Sequence, residues 1–258
     1  RVDQLSHMFW RTMDSDHPAH DPGTKYRMVI ENIYREADVI LKKALKKLDN
    51  NTTIMVLSDH GFAPFYRAFN LNTWLKNEGY VSLVDDSEGG FLQNVNWSQS
   101  RAYGMGFNGL YLNIEGREKY GIVQVGIKKN ALMEEISAKL IAIRDPETGK
   151  QVISRIYRAD EIYSGQYVRE VPDLVIGYNK GFRASTDTVL GKFSKGIIED
   201  NIDKWSGDHL IEAKFVPGIL LSNKKIQSRN PALYDIAPTI LAEFGIPKQK
   251  WMVGSPVF

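Results

Sequence analysis

Residues 52–62, T-T-I-M-V-L-S-D-H-G-F, constrain the fold of this chain more than any other stretch. The run Thr53–Leu57 is too short for a helix and too uniformly apolar for a strand with one wet face. It predicts a buried strand, paired parallel to its neighbours. An acid and an imidazole, Asp59 and His60, stand at its C-terminal end, and Gly61 follows at once. In open α/β sheets, ligands bind in the crevice beyond the carboxyl ends of the strands. Asp59 and His60 therefore read as half of a metal site, with the other half to be found elsewhere in the chain.

Composition narrows the chemistry. The 258 residues include no cysteine, so disulfides and thiolate chemistry are excluded and any metal must be held by carboxylates and imidazoles. A net charge of +2 leaves no footprint for nucleic acid, and no apolar run approaches the length of a membrane span. The basic cluster Leu41–Lys47, L-K-K-A-L-K-K, reads as the solvated face of a helix. The chain opens on Arg-Val-Asp, with neither an initiator Met nor a signal-like segment, and is expected to be a piece of a longer polypeptide.

In chain order, Asp3 and His7 stand four residues apart, a spacing that places both side chains on one face of a helical turn. Asp16 and His20 repeat the spacing, but Pro18 and the following Asp-Pro-Gly predict a loop there. Apolar positions from Tyr26 to Leu48 predict an amphipathic helix with Thr24 as its N-cap. With the strand that follows, it makes one half of a βαβ crossover whose first strand would end just before Asp3. Further on, the pattern predicts helices over Phe69–Glu78, Ala131–Ile143 and Tyr234–Phe244. Strands are predicted over Tyr80–Val84, Ser100–Met105, Leu110–Ile114, Val152–Tyr157, Leu174–Tyr178 and Gly218–Ser222, with a turn at Asp85–Gly90. No period is legible in Asn179–Lys204, and no repeat or linker divides the chain.

Five histidines are available. His60 stands at a strand end, His209 in a Gly-Asp-His turn before a strand, and His7 has its helically spaced Asp3; His17 and His20 sit in a Pro-containing loop and read as structural, with His20 a spare ligand beside Asp16. Asp3, His7 and His209 make one set of two imidazoles and a carboxylate, while Asp59 and His60 make an incomplete second. Oxygen and nitrogen donors without sulfur suit zinc, manganese or iron, and two such ions would clamp the attacking and leaving oxygens of a phosphoryl transfer.

The motif S-D-H-G-F at Ser58–Phe62, the upstream D-x-x-x-H, the downstream W-S-G-D-H at Trp205–His209, L-Y-L-N-I-E-G-R-E at Leu110–Glu118 and the ending Y-D-I-A-P-T-I-L-A-E-F-G-I-P resemble the alkaline phosphatase superfamily. Within it the sequence is similar to the type I phosphodiesterase and nucleotide pyrophosphatase branch and its phosphohydrolase/phosphomutase relatives. The resemblance implies a three-layer α/β/α sandwich with a mainly parallel central sheet, truncated at the N-terminus. It implies a single catalytic domain over residues 1–258, with residues 63–204 as a substrate-facing elaboration. It also implies two divalent ions, zinc or else manganese, one held by Asp3, His7 and His209 and the second by Asp59 and His60 with an early Asp and a Thr or Ser nucleophile. Those last two lie upstream in the family, so this chain is expected to carry no catalytic nucleophile and to have little activity of its own. The implied substrate is a small phosphoester or nucleotide. Asn108, Arg117 and Arg183 are the residues expected to meet its phosphate or leaving group. Asp208 reads either as a group orienting an imidazole or as a solvated loop residue. Trp74, Trp97 and Tyr111 read as core, and Asp235 as a helix-start acid. The rival readings are a phosphomutase or sulfatase-like enzyme, and a non-catalytic binding domain of the same fold.

Overall fold

A computed structural model describes residues 1–85 and 89–258, so part of the turn expected at Asp85–Gly90 lies outside the described residues. The chain divides into two compact units, the first of residues 1–33 and 62–216 and the second of residues 34–61 and 217–258.

The first unit starts with helix α1, Val2–Met13. Asp3 in its first turn suits the partial positive charge of a helix N-terminus, and Ser6, His7 and Thr12 form its buried face. Helix α2, Val29–Leu45, begins in this unit and buries Ile30 and Ile33. Strand β1, Met55–Leu57, belongs to the second unit; in the first, strand β2, Ala63–Phe69, carries the sheet that supports α1. No strand is expected there from sequence, because Pro64 and Arg67 interrupt A-P-F-Y-R-A-F. Arg67 is nonetheless buried, its guanidinium bonded to Asp145, Glu147 and Asp200 at 2.6–3.1 Å. Helix α3, Leu71–Asn77, ends on Gly79 at φ +75°, where the Tyr80 amide closes the helix by donating to Leu75 O. That closure is why the strand expected at Tyr80–Val84 is absent: Tyr80 and Val81 both bond back to Leu75, and Leu83 makes a single bridge to Val95.

Strands β3 (Ala102–Met105) and β4 (Gly109–Leu112) form a hairpin. Helix α4 (Ile127–Ile141), β5 (Ile153–Arg158), the short α5 (Ala159–Ile162) and β6 (Leu174–Tyr178) follow, and the second sheet has the order β3-β4-β6-β5. The stretch without legible period holds β7 (Gly181–Ala184), α6 (Thr186–Val189) and β8 (Ile198–Asp200), and β9 (Gly207–Asp208) comes next. β2 pairs with β7, β8 and, at its start, with β9. The core holds fully buried Phe69, Leu75, Leu112, Ile136, Leu140 and Leu174, each stabilising by about 1.5–3 kcal/mol through removal of its apolar surface from water.

The expectation of a mainly parallel sheet is corrected. The fold is mixed α/β, β2 with β7 is the parallel ladder, and the other strand ladders among the described residues are antiparallel. A parallel connection needs a crossover of about a dozen residues or more, and the β3–β4 connection is far shorter than that.

The second unit takes in the later part of α2, β1 (Met55–Leu57), β10 (Leu220–Ser222) and α7 (Ile236–Glu243). β1 and β10 pair antiparallel as a two-stranded sheet, and the ladder is extended by side chains: Ile54 N–H donates to Asn223 Oδ1 and Ser222 Oγ to Ile54 O. β1 is thus neither parallel nor buried, Leu57 being 41% exposed. Its ladder has one short neighbour, β10, and Met55 and Val56 are only half-buried. Asp235 accepts amide hydrogens from Ala232 and Ser255, which hold its carboxyl below the ordinary value and fasten the start of α7 to the chain end.

Candidate metal centre

Helix α1 and the turn after β9 bring Asp3, His7 and His209 together in the first unit. Asp3 Oδ1 lies 3.6 Å from His7 Nε2 and 3.7 Å from His209 Nε2. The i, i+4 spacing on α1 sets the first distance; the second depends on how closely β9 approaches the helix. Gly207 permits that approach, since a Cβ there would lie 2.8 Å from Ser6 O and 2.9 Å from Trp10 Cβ. His7 Nδ1 lies 2.6 Å from Gly207 O, so the carbonyl accepts the Nδ1 proton and the Nε2 lone pair is left facing Asp3.

Asp208 joins this cluster as a brace. It is buried, and all its lone-pair directions are in use: Oδ1 accepts the amides of His209 and Leu210 at 2.8 and 3.0 Å, and Oδ2 accepts Trp205 Nε1 at 2.8 Å and pairs with an Arg183 terminal nitrogen at 3.1 Å. Of its two sequence readings, the solvated loop residue is excluded. His7, Asp208 and His209 each present a donor atom within 4.8 Å of the others. A carboxylate already saturated with hydrogen bonds is a poor metal ligand, so Asp208 braces the turn that carries His209, whereas the Asp3 side chain is 57% exposed.

In the second unit Asp59 and His60 lie beside each other, with His60 Nε2 3.7 Å from Asp59 Oδ2 and its Nδ1 donating to Gly61 O at 2.9 Å. Asp59 also lines a cleft of about 300 Å³ with Ser58, Pro217, Gly218 and Leu233. His17 and His20, read from sequence as structural, are both hydrogen-bonded into the first unit. His17 is buried, its ring bonded to Phe65 O and the Ala19 amide, and burial lowers its pKa; His20 Nδ1 donates to Arg11 O.

Asn108, Arg117 and Arg183, expected to meet a substrate phosphate, each make hydrogen bonds or ion pairs within the fold. Asn108 donates to Ile176 O and Leu210 O. Arg117 grips Asp173, Glu118 and Leu112 O with all three of its nitrogens. Arg183 is buried between the rings of Phe65 and Phe107 and held to Asp208, and desolvation draws its pKa below the usual guanidinium value against the pull of that carboxylate. Trp74 is buried, Trp97 packs against Tyr103, and Tyr111 stacks on Tyr103, in keeping with core roles. The residue missed from sequence is Trp205, whose indole lies on the His7 ring at 3.8 Å between centroids; its one signal was its place in W-S-G-D-H.

The sequence profile of the type I phosphodiesterase / nucleotide pyrophosphatase family matches residues 1–196. The chain belongs to that family, a branch of the alkaline phosphatase superfamily. The matched span includes Asp3, His7, Asp59 and His60 and ends before Asp208 and His209. Among solved structures, human ectonucleotide pyrophosphatase / phosphodiesterase 5 aligns with 98% of this chain and 54% of its own, at 13% identity and a TM-score of 0.43. The chain thus spans about half the length of that protein, and nothing about the site rests on the likeness. Among curated proteins no relative matches. No helix of the described residues is long and apolar enough to cross a membrane.

Proposed function

We propose that this chain is the metal-binding part of a phosphoester hydrolase acting on a small phosphodiester or nucleotide, with Asp3, His7 and His209 as ligands of one divalent ion, zinc before manganese. The observation that carries the reading is that Asp3 Oδ1 lies 3.6 and 3.7 Å from the Nε2 atoms of His7 and His209, with the His7 Nδ1 proton already committed to Gly207 O. The donor set fits: two imidazoles and a carboxylate, without sulfur, suit a zinc site that keeps a position open for substrate. Bound there, such an ion supplies Lewis-acid polarisation of a phosphoryl oxygen. Asp59 and His60 are proposed as two ligands of a second ion, and residues 63–204 as the substrate-facing part.

The covalent phospho-enzyme route that the family implies needs a hydroxyl nucleophile. Ser206, next to the cluster, does not serve: its Oγ donates to His7 O and accepts the Arg11 amide. We therefore expect the 258-residue chain to bind zinc while turning over bis(p-nitrophenyl) phosphate at or near background. Calorimetric titration with Zn²⁺ of the wild type and of His7→Ala tests the binding. Equal affinity in the two proteins would overturn the ligand assignment, and chelator-sensitive turnover by the wild type would overturn the expected inactivity.

A further inference from the structure

Neither the metal reading nor the family assigns any part to Trp205, and its surroundings give it one. The His7 imidazole is held from three directions. Gly207 O accepts its Nδ1 proton, the Phe62 ring meets it edge-on at 4.7 Å and 74°, and the Trp205 indole lies along its face at 3.8 Å and 25°. A single hydrogen bond fixes a tautomer and one point of the ring but leaves rotation about that bond open. A stacked face removes the rotation, so the two together define where the Nε2 lone pair points.

Trp205 is itself held through both its indole and its backbone. Its Nε1 donates to Asp208 Oδ2, and the Trp205 carbonyl accepts from Asn201 Nδ2, each at 2.8 Å. Asp208 is held in turn by Arg183 and two backbone amides. A tryptophan that served only to fill the core would be buried, yet Trp205 is 39% exposed and spends its inner face on one imidazole. We infer that Trp205 is a positioning residue, whose indole, tied to Asp208, fixes the plane of the His7 ring so that Nε2 faces Asp3 before any ion arrives. This deepens the metal-site reading and rests on it for its consequence in binding.

The test uses the full 258-residue chain in two arms. In the metal-free protein, ¹⁵N NMR of the histidine rings is expected to show His7 as one Nδ1–H tautomer in the wild type and in Trp205→Phe, which keeps a stacking ring, and as an average in Trp205→Leu. A wild-type His7 that averages between tautomers overturns the inference without recourse to any variant. In the second arm Zn²⁺ affinity is measured by calorimetry on proteins with matched circular dichroism. Trp205→Leu is expected to bind about 10–100-fold more weakly, the usual cost of losing a group that orients a ligand, and Trp205→Phe to recover most of that loss. Should Trp205→Leu fail to fold, Trp205→Met takes its place. Wild-type affinity and an unchanged His7 signal in the ring-less variant overturn the inference. His7→Ala that binds Zn²⁺ like the wild type sinks the metal reading instead, and the NMR arm still decides whether Trp205 positions the ring.

Discussion

Two Asp–His pairs of the same chemistry sit in very different surroundings. His7 is 3% exposed, stacked, hydrogen-bonded and backed by a buried carboxylate, whereas His60 and Asp59 follow a three-residue strand, with the Asp59 side chain 70% exposed. The first pair is aimed by residues distant in sequence; in the second, His60 Nδ1 donates to the carbonyl of the next residue, Gly61. A shared residue type thus does not confer shared surroundings. The orienting shell decides how much of the ordering is done before a ligand arrives.

The largest effect should come from breaking that shell. Arg183→Met leaves Asp208 as a buried charge without its partner, and unfolding in urea should show a loss of about 3–5 kcal/mol, while Asp59→Asn should change stability by less than about 0.5 kcal/mol. Similar losses in both would remove the contrast. Next, the two units should differ in their packing. Leu75→Ala, at a fully buried site, should cost about 2–5 kcal/mol, and Leu221→Ala, at a residue 57% exposed, well under about 1 kcal/mol by the same measurement.

Third, zinc at about 100 times its Kd should stabilise the wild type by about 2.7 kcal/mol. Thermal melts with and without chelator should show that increment in Asp59→Asn and not in His7→Ala. The smallest effect is one of pH. Burial lowers the folded pKa of His17 below its ordinary 6.5, so the unfolded chain binds the extra proton first. Stability from this group is full above pH 6.5 and falls as pH drops toward the folded value, and His17→Gln should flatten that slope. Asp235 and Glu243 in the second unit are held low by backbone amides and by Lys224 with Thr53 respectively. Their contribution is present above the ordinary carboxylate range and is lost only as pH falls through their lowered values. Urea midpoints from pH 7.5 to 4.5 should therefore decline first through the first unit.

Much of this arrangement was legible in the sequence wherever its cause is local. The period of Ala131–Ile143 gives α4, the run Leu174–Tyr178 gives β6, and the spacing of Asp3 and His7 gives a shared helical face. The remainder depends on partners far away along the chain. β2 is hidden because Arg67 looks like a surface residue until Asp145, Glu147 and Asp200 surround it. The cage around Arg183 is hidden in the same way, since neither Phe65 nor Asp208 is near it in sequence. β1 reads as buried because a run of apolar residues reports hydrophobicity and not how many neighbours cover it.

The absence of a side chain at Gly207 also has a mechanical meaning. The spacing between the helix that carries His7 and the turn that carries His209 is gauged by a single hydrogen atom. A bound ligand set tolerates shifts of only about 0.5 Å, and a methyl group 2.8 Å from Ser6 O would demand a shift of about that size. Position 207 therefore acts as a shim: even alanine, harmless in most turns, would push the turn away from the helix without changing His7 or His209 themselves.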